Sequence, residues 1–434
     1  GSISGPQKTA GNDGVLASSK YDLTVPAGGS STIRFFIAGA TDRSKVISEM
    51  NSLKNNHQAL LDKKTQHLQN VLGRSKITIP DQDLQKTFDW AKIQTDWLIG
   101  DVPSMGSGLY GTLPAFPWWF TVDGIHGLRG VLAQSNIDVA ENHLRLLKKS
   151  TANSDQGGRI VQAAYASTLI NEGDAYEVAI FIMGVDDVFH WSGDIGFVRE
   201  MFPAVKDGIA WILSNDKDGD LVSEGQVAVE HEALSMEMIQ TAVYTQQALA
   251  GAANMARKIG ESNLAEDYKS KADQLKNHIN TNYWVASEGR YAEMYGEASK
   301  WLEYFDEENG VWTSTDTGGR TRIAALSDDA REGLSDHGGG LELPEDSTND
   351  IDSLRSQLEA GISDLDKESA WPQLFTALGN IPLEAGLATP EMAASSLEHS
   401  RKLDDCCYGY EAQGSLAVGE CRYGYMDQCL NYIK

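Results

Sequence analysis

The sequence predicts an all-α fold, an (α/α)6 toroid of helical hairpins preceded by a short β-sandwich remnant. Three observations carry that reading. From Asp42 onward the apolar residues recur at helical spacing. The connections between helices alternate between short and long. Strand-like alternation is concentrated in Tyr21–Ala40, where two apolar runs flank the turn Pro26-Ala27-Gly28-Gly29.

Taken in order, residues 1–40 read as a β-strand segment, the end of an N-terminal sandwich, because a lone hairpin is marginal in water. The chain opens on Gly1-Ser2-Ile3 without an initiator Met, so a processed or trimmed start is expected. Residues 41–80 read as a helical linker, with Ser44–Val71 rich in Lys and Gln, and residues 81–434 as the helical domain. Pro80-Asp81 caps a helix over Asp83–Leu98 that places Leu84, Phe88, Ala91 and Thr95 on one face. Further helices fall at Gly124–Gln134, Ile137–Lys149, Ala175–Trp191, Ile195–Leu213, Ala233–Ile259, Leu264–Asn280, Glu391–Lys402, Glu411–Arg422 and Tyr425–Lys434. Short links such as Ser192-Gly193-Asp194 and Gly260-Glu261-Ser262 make antiparallel hairpins, while long ones rich in Gly, Trp and acids precede every second helix. Such a ring gathers its elaborate loops on one face. Trp301–Asp366 carries Gly318-Gly319 and Gly338-Gly339-Gly340 with little periodicity and reads as a long insertion. With one more helix near Pro372–Gly379, the count from Asp83 is about eleven where six hairpins need twelve, so the last inner helix is expected to be missing.

Composition narrows the function classes. A chain of 434 residues, 41% of them hydrophobic, can fill a sizeable core. The formal charge of -26, with 62 acidic against 36 basic residues, argues against nucleic acid or an anionic membrane as partner and for a neutral ligand. No apolar run is long enough to span a bilayer, no basic-then-apolar leader opens the chain, and mean hydropathy is negative. A soluble protein is expected; cytoplasmic or secreted stays open, as does the oligomeric state. Cys406, Cys407, Cys421 and Cys429 show no CxxC spacing and no nearby His cluster, which disfavours a metal site or a disulfide framework. No cofactor is expected.

Two segments carry chemistry. In Leu113–Gly130, Phe116, Trp118, Trp119 and Phe120 crowd in front of Asp123. Flat apolar faces beside one carboxylate suit a sugar ring, although the same aromatics could fill a core. In Asp216–Glu232 the DxDGD opening resembles a calcium loop, but Val227 stands where an EF-hand needs its bidentate Glu, so an acidic turn is the simpler reading. Beyond it, Glu224, Glu230 and Glu232 gather with His231 before a helix. Close acids raise one another's pKa, and a Glu kept protonated near neutral pH can serve as general acid; otherwise they are first-turn acids favoured by the helix dipole.

These residues carry a resemblance. Trp118-Trp119-Phe120-Thr121-Val122-Asp123-Gly124 looks like the aromatic–Asp segment of glucoamylases and glycogen-debranching amylo-α-1,6-glucosidases, in which the Asp binds hydroxyls of the terminal glucose. Val122 stands where glucoamylases usually carry Arg, which moves the match toward the bacterial debranching branch. Glu224-Gly225, Val229-Glu230 and Ala242–Leu249 are similar to the segment bearing the general acid; counting forward from Gly225 puts the acid at Glu230, the preferred residue, while counting back from Ala242-Val243 puts it nearer His231 and Glu232. His190–Asp194, Phe197, Phe202-Pro203, Trp211 and Asp216–Asp220 fit the same superfamily. The resemblance implies an exo-acting, inverting glycoside hydrolase of α-glucosidic bonds, with Glu230 as acid and Trp118, Trp119, Phe120, Asp123, Glu177, Glu232 and Trp371 contacting substrate. In relatives the general base precedes the last inner helix; here the base either lies outside this chain or falls to Glu411, with Glu420 the other late acid. Two other readings stand beside it. One is a weakly catalytic carbohydrate-binding protein, the other a related toroid hydrolase for another sugar, such as a rhamnosidase or an uronic-acid hydrolase.

Overall fold

The computed structural model describes residues 22–40, 42–102, 106–152, 157–165, 168–224, 237–287, 289–292, 294–297, 312–315, 321–325, 368–371 and 378–402. The chain divides into two compact units, Gly1–Asn70 and Val71–Lys434. In the first unit the predicted turn forms, with Gly29 N–H donating to the Pro26 carbonyl at 2.9 Å. The predicted strands do not: residues 22–40 contain no strand among those described, and Leu23, Val25, Phe35 and Ile37 are exposed. An alternating hairpin has one apolar face, and without a layer to bury it the ladder gains no packing. The linker expected over Ser44–Val71 is helix α1 (Arg43–Gly73).

The second unit begins with α2 (Gln82–Leu98), whose N-cap Asp81 accepts from the Asp83 and Leu84 amides. Leu84, Phe88 and Thr95 of the predicted face are half-buried. Ala91 is exposed and Lys92 is buried, its ammonium donating to the carbonyls of Leu72 at 2.8 Å and of Arg74. That cation satisfies carbonyls that the end of α1 leaves open.

Four helical pairs follow: α3 (Thr121–Ala133) with α4 (Ile137–Ala152), α5 (Ala175–Ser192) with α6 (Ile195–Ser214), α7 (Ile239–Ile259) with α8 (Ser262–Asn282), and α9 (Ile381–Glu384) with α10 (Pro390–Lys402). This is the hairpin architecture of an (α/α)6 toroid. Asp194, capping α6 by accepting from the Gly196 and Phe197 amides, and Gly193 and Gly260, both at positive φ as the C-caps of α5 and α7, make the tight returns. Helices α5 and α7 are buried nearly all round, whereas α8 buries the single stripe Ala265, Tyr268, Ala272, Leu275 and Ile279. The former are inner helices and the latter an outer one. Close approach is bought with small residues: a Cβ at Gly184 would press on Ile125, one at Gly208 on Val178, and one at Gly251 on Asp186.

Every long connection leads into the amino end of an inner helix. Two small antiparallel sheets stand there. In one, β3 (Trp119–Phe120), β4 (Ala163–Tyr165) and β5 (Thr168–Asn171) lie in that order, and β3 runs straight into α3. In the other, β6 (Glu237–Met238) leads into α7 and pairs with β9 (Met294–Glu297), which pairs in turn with β12 (Glu368–Trp371). Three shorter hairpins complete the strands: β1 (Ile99–Val102) with β2 (Gly106–Leu109), β7 (Trp284–Val285) with β8 (Arg290–Tyr291), and β10 (Trp312–Thr315) with β11 (Thr321–Ala325). The last lies inside the predicted insertion. Among the described residues no helix is long and apolar enough to cross a membrane.

Candidate active site

Helix α3 starts at Thr121, three residues before the predicted Gly124, so Asp123 sits in its first turn instead of in a loop. A carboxylate there is favoured by the helix dipole, and this one is exposed. Just before it, the loop 111–118 is closed by Gly111 N–H donating to the Trp118 carbonyl at 3.0 Å and Thr112 N–H to the Phe116 carbonyl at 3.2 Å. Phe116, Trp118 and Phe120 pack against one another with ring centroids 5.6 to 6.3 Å apart. Phe116 is 44% exposed and the other two are half-buried, so the trio presents an apolar surface beside Asp123. Trp119 stands behind it. Its ring is fully buried and stacked on Tyr110 at 4.5 Å, where it anchors the loop and offers no open face.

Three inner helices converge below this surface. His126, one turn on from Asp123, lies 6.3 Å from the Tyr244 ring of α7, and Tyr244 lies 5.4 Å from Tyr176 of α5. Gln240, one turn before Tyr244, donates from Nε2 to the Tyr176 hydroxyl at 2.8 Å. Burial, and next the Arg129 cation, hold the His126 imidazole below its ordinary pKa, against Glu384, Asp123 and Asp187. A neutral imidazole and an amide are suited to hydroxyl groups, since each offers a donor and an acceptor. Sequence reasoning passed over these four residues. The signal was their helical spacing, His126 following Asp123 by three and Tyr244 following Gln240 by four.

Glu177 is 4% exposed and closes a capping box on α5: it accepts from the Asp174 amide at 2.9 Å, while Asp174 accepts from the Tyr176 amide at 2.8 Å. Burial, and then Asp174 beside it, raise its carboxyl well above the usual range. Trp371 belongs to β12; its backbone is registered with Met294, and Met294 with Met238, which places it two strands from the start of α7. Glu230, Glu232 and Glu411 lie outside the described residues.

The DxDGD segment folds as a tight acidic turn. Asp216 accepts from the Gly219 and Leu221 amides, Asp218 from Asp220, and Asp220 from Val222. Asp220 also meets His278 of α8, Nε2 to Oδ2 2.9 Å, and Glu224 and Glu237 approach the same acids. Among the described residues, these side chains bring their donor atoms within 4.8 Å of one another in groups of three.

Helical hairpins with long loops at the amino ends of the inner helices define the architecture, that of an (α/α)6 toroid. Residues 126–303 match the family model described as the bacterial alpha-L-rhamnosidase 6 hairpin glycosidase domain. No curated protein matches the sequence. Among solved structures, a rhamnosidase from Klebsiella oxytoca with rhamnose bound aligns at 12% identity and TM-score 0.47, over 82% of this chain and 55% of that one. A GH78 family rhamnosidase of Bacillus sp. GL1 aligns at 14% identity and TM-score 0.42, over 82% and 31%. The chain thus spans about half the length of the first of these proteins or less. The matching family model is that of rhamnosidases, not of the glucoamylases or debranching enzymes that the sequence motifs resemble.

Proposed function

We propose that this protein is a glycoside hydrolase that releases terminal α-L-rhamnose from neutral glycosides. The observation that carries the reading is the rhamnosidase-domain match over residues 126–303, which begins in α3 beside Asp123 and ends just past β9. The site chemistry is compatible with it. Rhamnose differs from a hexose such as glucose in bearing a methyl group in place of a hydroxymethyl, which suits the apolar surface of Phe116, Trp118 and Phe120, while Asp123 and the His126–Tyr244–Tyr176–Gln240 group supply hydroxyl partners. Glu230 is assigned as general acid and Glu411 as general base of an inverting reaction, with Glu232 and Trp371 as further substrate contacts.

Release of nitrophenol from nitrophenyl α-L-rhamnoside and nitrophenyl α-D-glucoside, and of glucose from maltose, tests this directly. Rhamnoside turnover with the α-glucosides inert is the expected result. The reverse pattern would restore the α-glucosidase reading, which the Trp118–Gly124 segment favours, and sugar binding without turnover would favour a carbohydrate-binding protein. A Glu230→Gln variant keeps the side chain's size but removes the transferable proton, so turnover of natural rhamnosides should fall by about 10² to 10⁴. Aryl substrates with acidic leaving groups should suffer less. Full activity on both would remove Glu230 from the role.

A further inference from the structure

One turn further along α3 than His126, charged side chains gather. Arg129 donates from Nε to Asp187 Oδ2 of α5 at 3.2 Å, and its Nη1 lies 3.5 Å from Glu384 Oε1 at the end of α9. One cation therefore ties three helices together. It also follows His126 by three residues, which puts both side chains on the same side of α3. We propose that this Arg129–Asp187–Glu384 clamp governs the charge state of His126: its cation keeps the imidazole neutral against three neighbouring carboxylates, and so sets the lower pH limit at which the site can bind hydroxyl groups.

Each helix packed on His126 brings a group to bear on it. On α3 itself, Asp123 precedes it by three residues and Arg129 follows; α5 brings Asp187, α9 brings Glu384, and α7 brings the Tyr244 ring at 6.3 Å. Asp186, next to Asp187, is turned elsewhere: it accepts from Asn254 Nδ2 at 3.1 Å and lies 3.3 Å from His190 Nδ1. Burial is the largest cause that holds the imidazole below its ordinary pKa, and the Arg129 guanidinium comes next; Glu384, Asp123 and Asp187 pull the other way. The guanidinium acts twice, because it repels a proton on His126 and also offsets two of the carboxylates that would attract one. With the Arg129 and Asp187 side chains 45% and 37% exposed, their ion pair contributes little to stability. Its field on a half-buried ring is screened less, so tuning His126 is the larger effect.

The charge state decides what the ring can bind. A neutral imidazole offers one donor and one acceptor, whereas an imidazolium offers two donors and no acceptor. Protonating His126 therefore removes an acceptor from the group it forms with Tyr244, Tyr176 and Gln240, and adds a charge for which a neutral sugar has no counterpart. The consequence for sugar binding rests on the rhamnosidase reading; the charge state of His126 does not.

Proton NMR titration of the imidazoles tests the clamp without any substrate, the His126 signal being identified among the 9 histidines by its loss in His126→Gln. Arg129→Gln should raise the titration midpoint of His126, while Asp187→Asn and Glu384→Gln should each lower it. Opposite signs mark a field effect, since breaking a merely structural clamp from either side would move the midpoint the same way. Arg129→Lys keeps the charge and should return the midpoint most of the way to the wild-type value. Lys269→Gln, which removes a cation from the exposed surface of α8, should leave it in place. Should Arg129→Gln not fold, the two carboxylate variants decide: downward shifts support the clamp, and upward or absent shifts overturn it. On an aryl rhamnoside the acid limb of kcat/KM should move with the midpoint, to higher pH in Arg129→Gln. A midpoint that moves in a chain with no rhamnoside turnover would overturn the substrate reading and leave the clamp standing. A midpoint fixed in all three clamp variants would overturn the clamp, and a moving midpoint beside a fixed acid limb would overturn its role at the site.

Discussion

At the scale of single residues, His143 shows how packing constrains a segment that also carries candidate site residues. The Trp118–Gly124 segment reads as a sugar-binding signature, and Gly124 within it and Gly108 near it are required by packing. A Cβ at Gly124 would collide with the His143 imidazole, and one at Gly108 would lie 2.8 Å from its Nδ1. His143 is fully buried, and its Nδ1 accepts from the Leu109 amide at 3.2 Å, which joins β2 to α4. Burial pushes its pKa down to about 4, against a smaller opposing pull from the Phe120 backbone. The unfolded chain takes up this proton below about pH 6.5, the folded chain only near 4. Stability present above pH 6.5 is therefore lost progressively as the pH falls toward 4, by about 3 kcal/mol for this one group. Denaturant melts of wild type and His143→Gln across that window measure it. Their difference should shrink as the pH falls; a pH-independent difference would show that His143 does not hold the neutral form.

At the scale of elements, most helices were legible because apolar spacing and cap residues agree. Asp81, Asp194, Gly193 and Gly260 mark ends in the sequence and cap them in the structure. What was illegible depended on tertiary partners. The strands of Tyr21–Ala40 needed a layer to bury their apolar face, which no local pattern reveals. Asp220 and His278, which pair at 2.9 Å, are far apart in sequence, and only the return of α8 beside the acidic turn unites them. On α2 the residue that the pattern does not reveal is a buried Lys, which breaks the hydrophobic rule: Lys92 is inside to serve the α1 terminus, and its pKa is lowered by that burial. Lys92→Met keeps the aliphatic bulk and removes the donor, leaving the Leu72 and Arg74 carbonyls without it. A loss of about 1–3 kcal/mol is expected in chemical denaturation. No loss would mean that water serves those carbonyls equally well.

At the scale of the whole molecule, the charge of -26 bears on which substrates the site can take. So strong an excess of one sign repels itself and surrounds the protein with negative potential. Added salt screens that repulsion over a Debye length of about 10 Å at 0.1 M, so the melting temperature should rise between low and moderate ionic strength. The effect on substrates is more selective. A neutral rhamnoside feels no steering, and its kcat/KM should change less than about twofold over the same salt range. An anionic uronide approaching the same surface would be slowed at low salt and relieved at high salt, by up to about tenfold if encounter limits the rate. Parallel assays of aryl rhamnoside and aryl uronide from about 10 to 300 mM salt separate the cases. A steep gain in rhamnoside turnover with salt, at unchanged folded fraction, would contradict a neutral-ligand site and point instead to charge at the mouth being rate-determining.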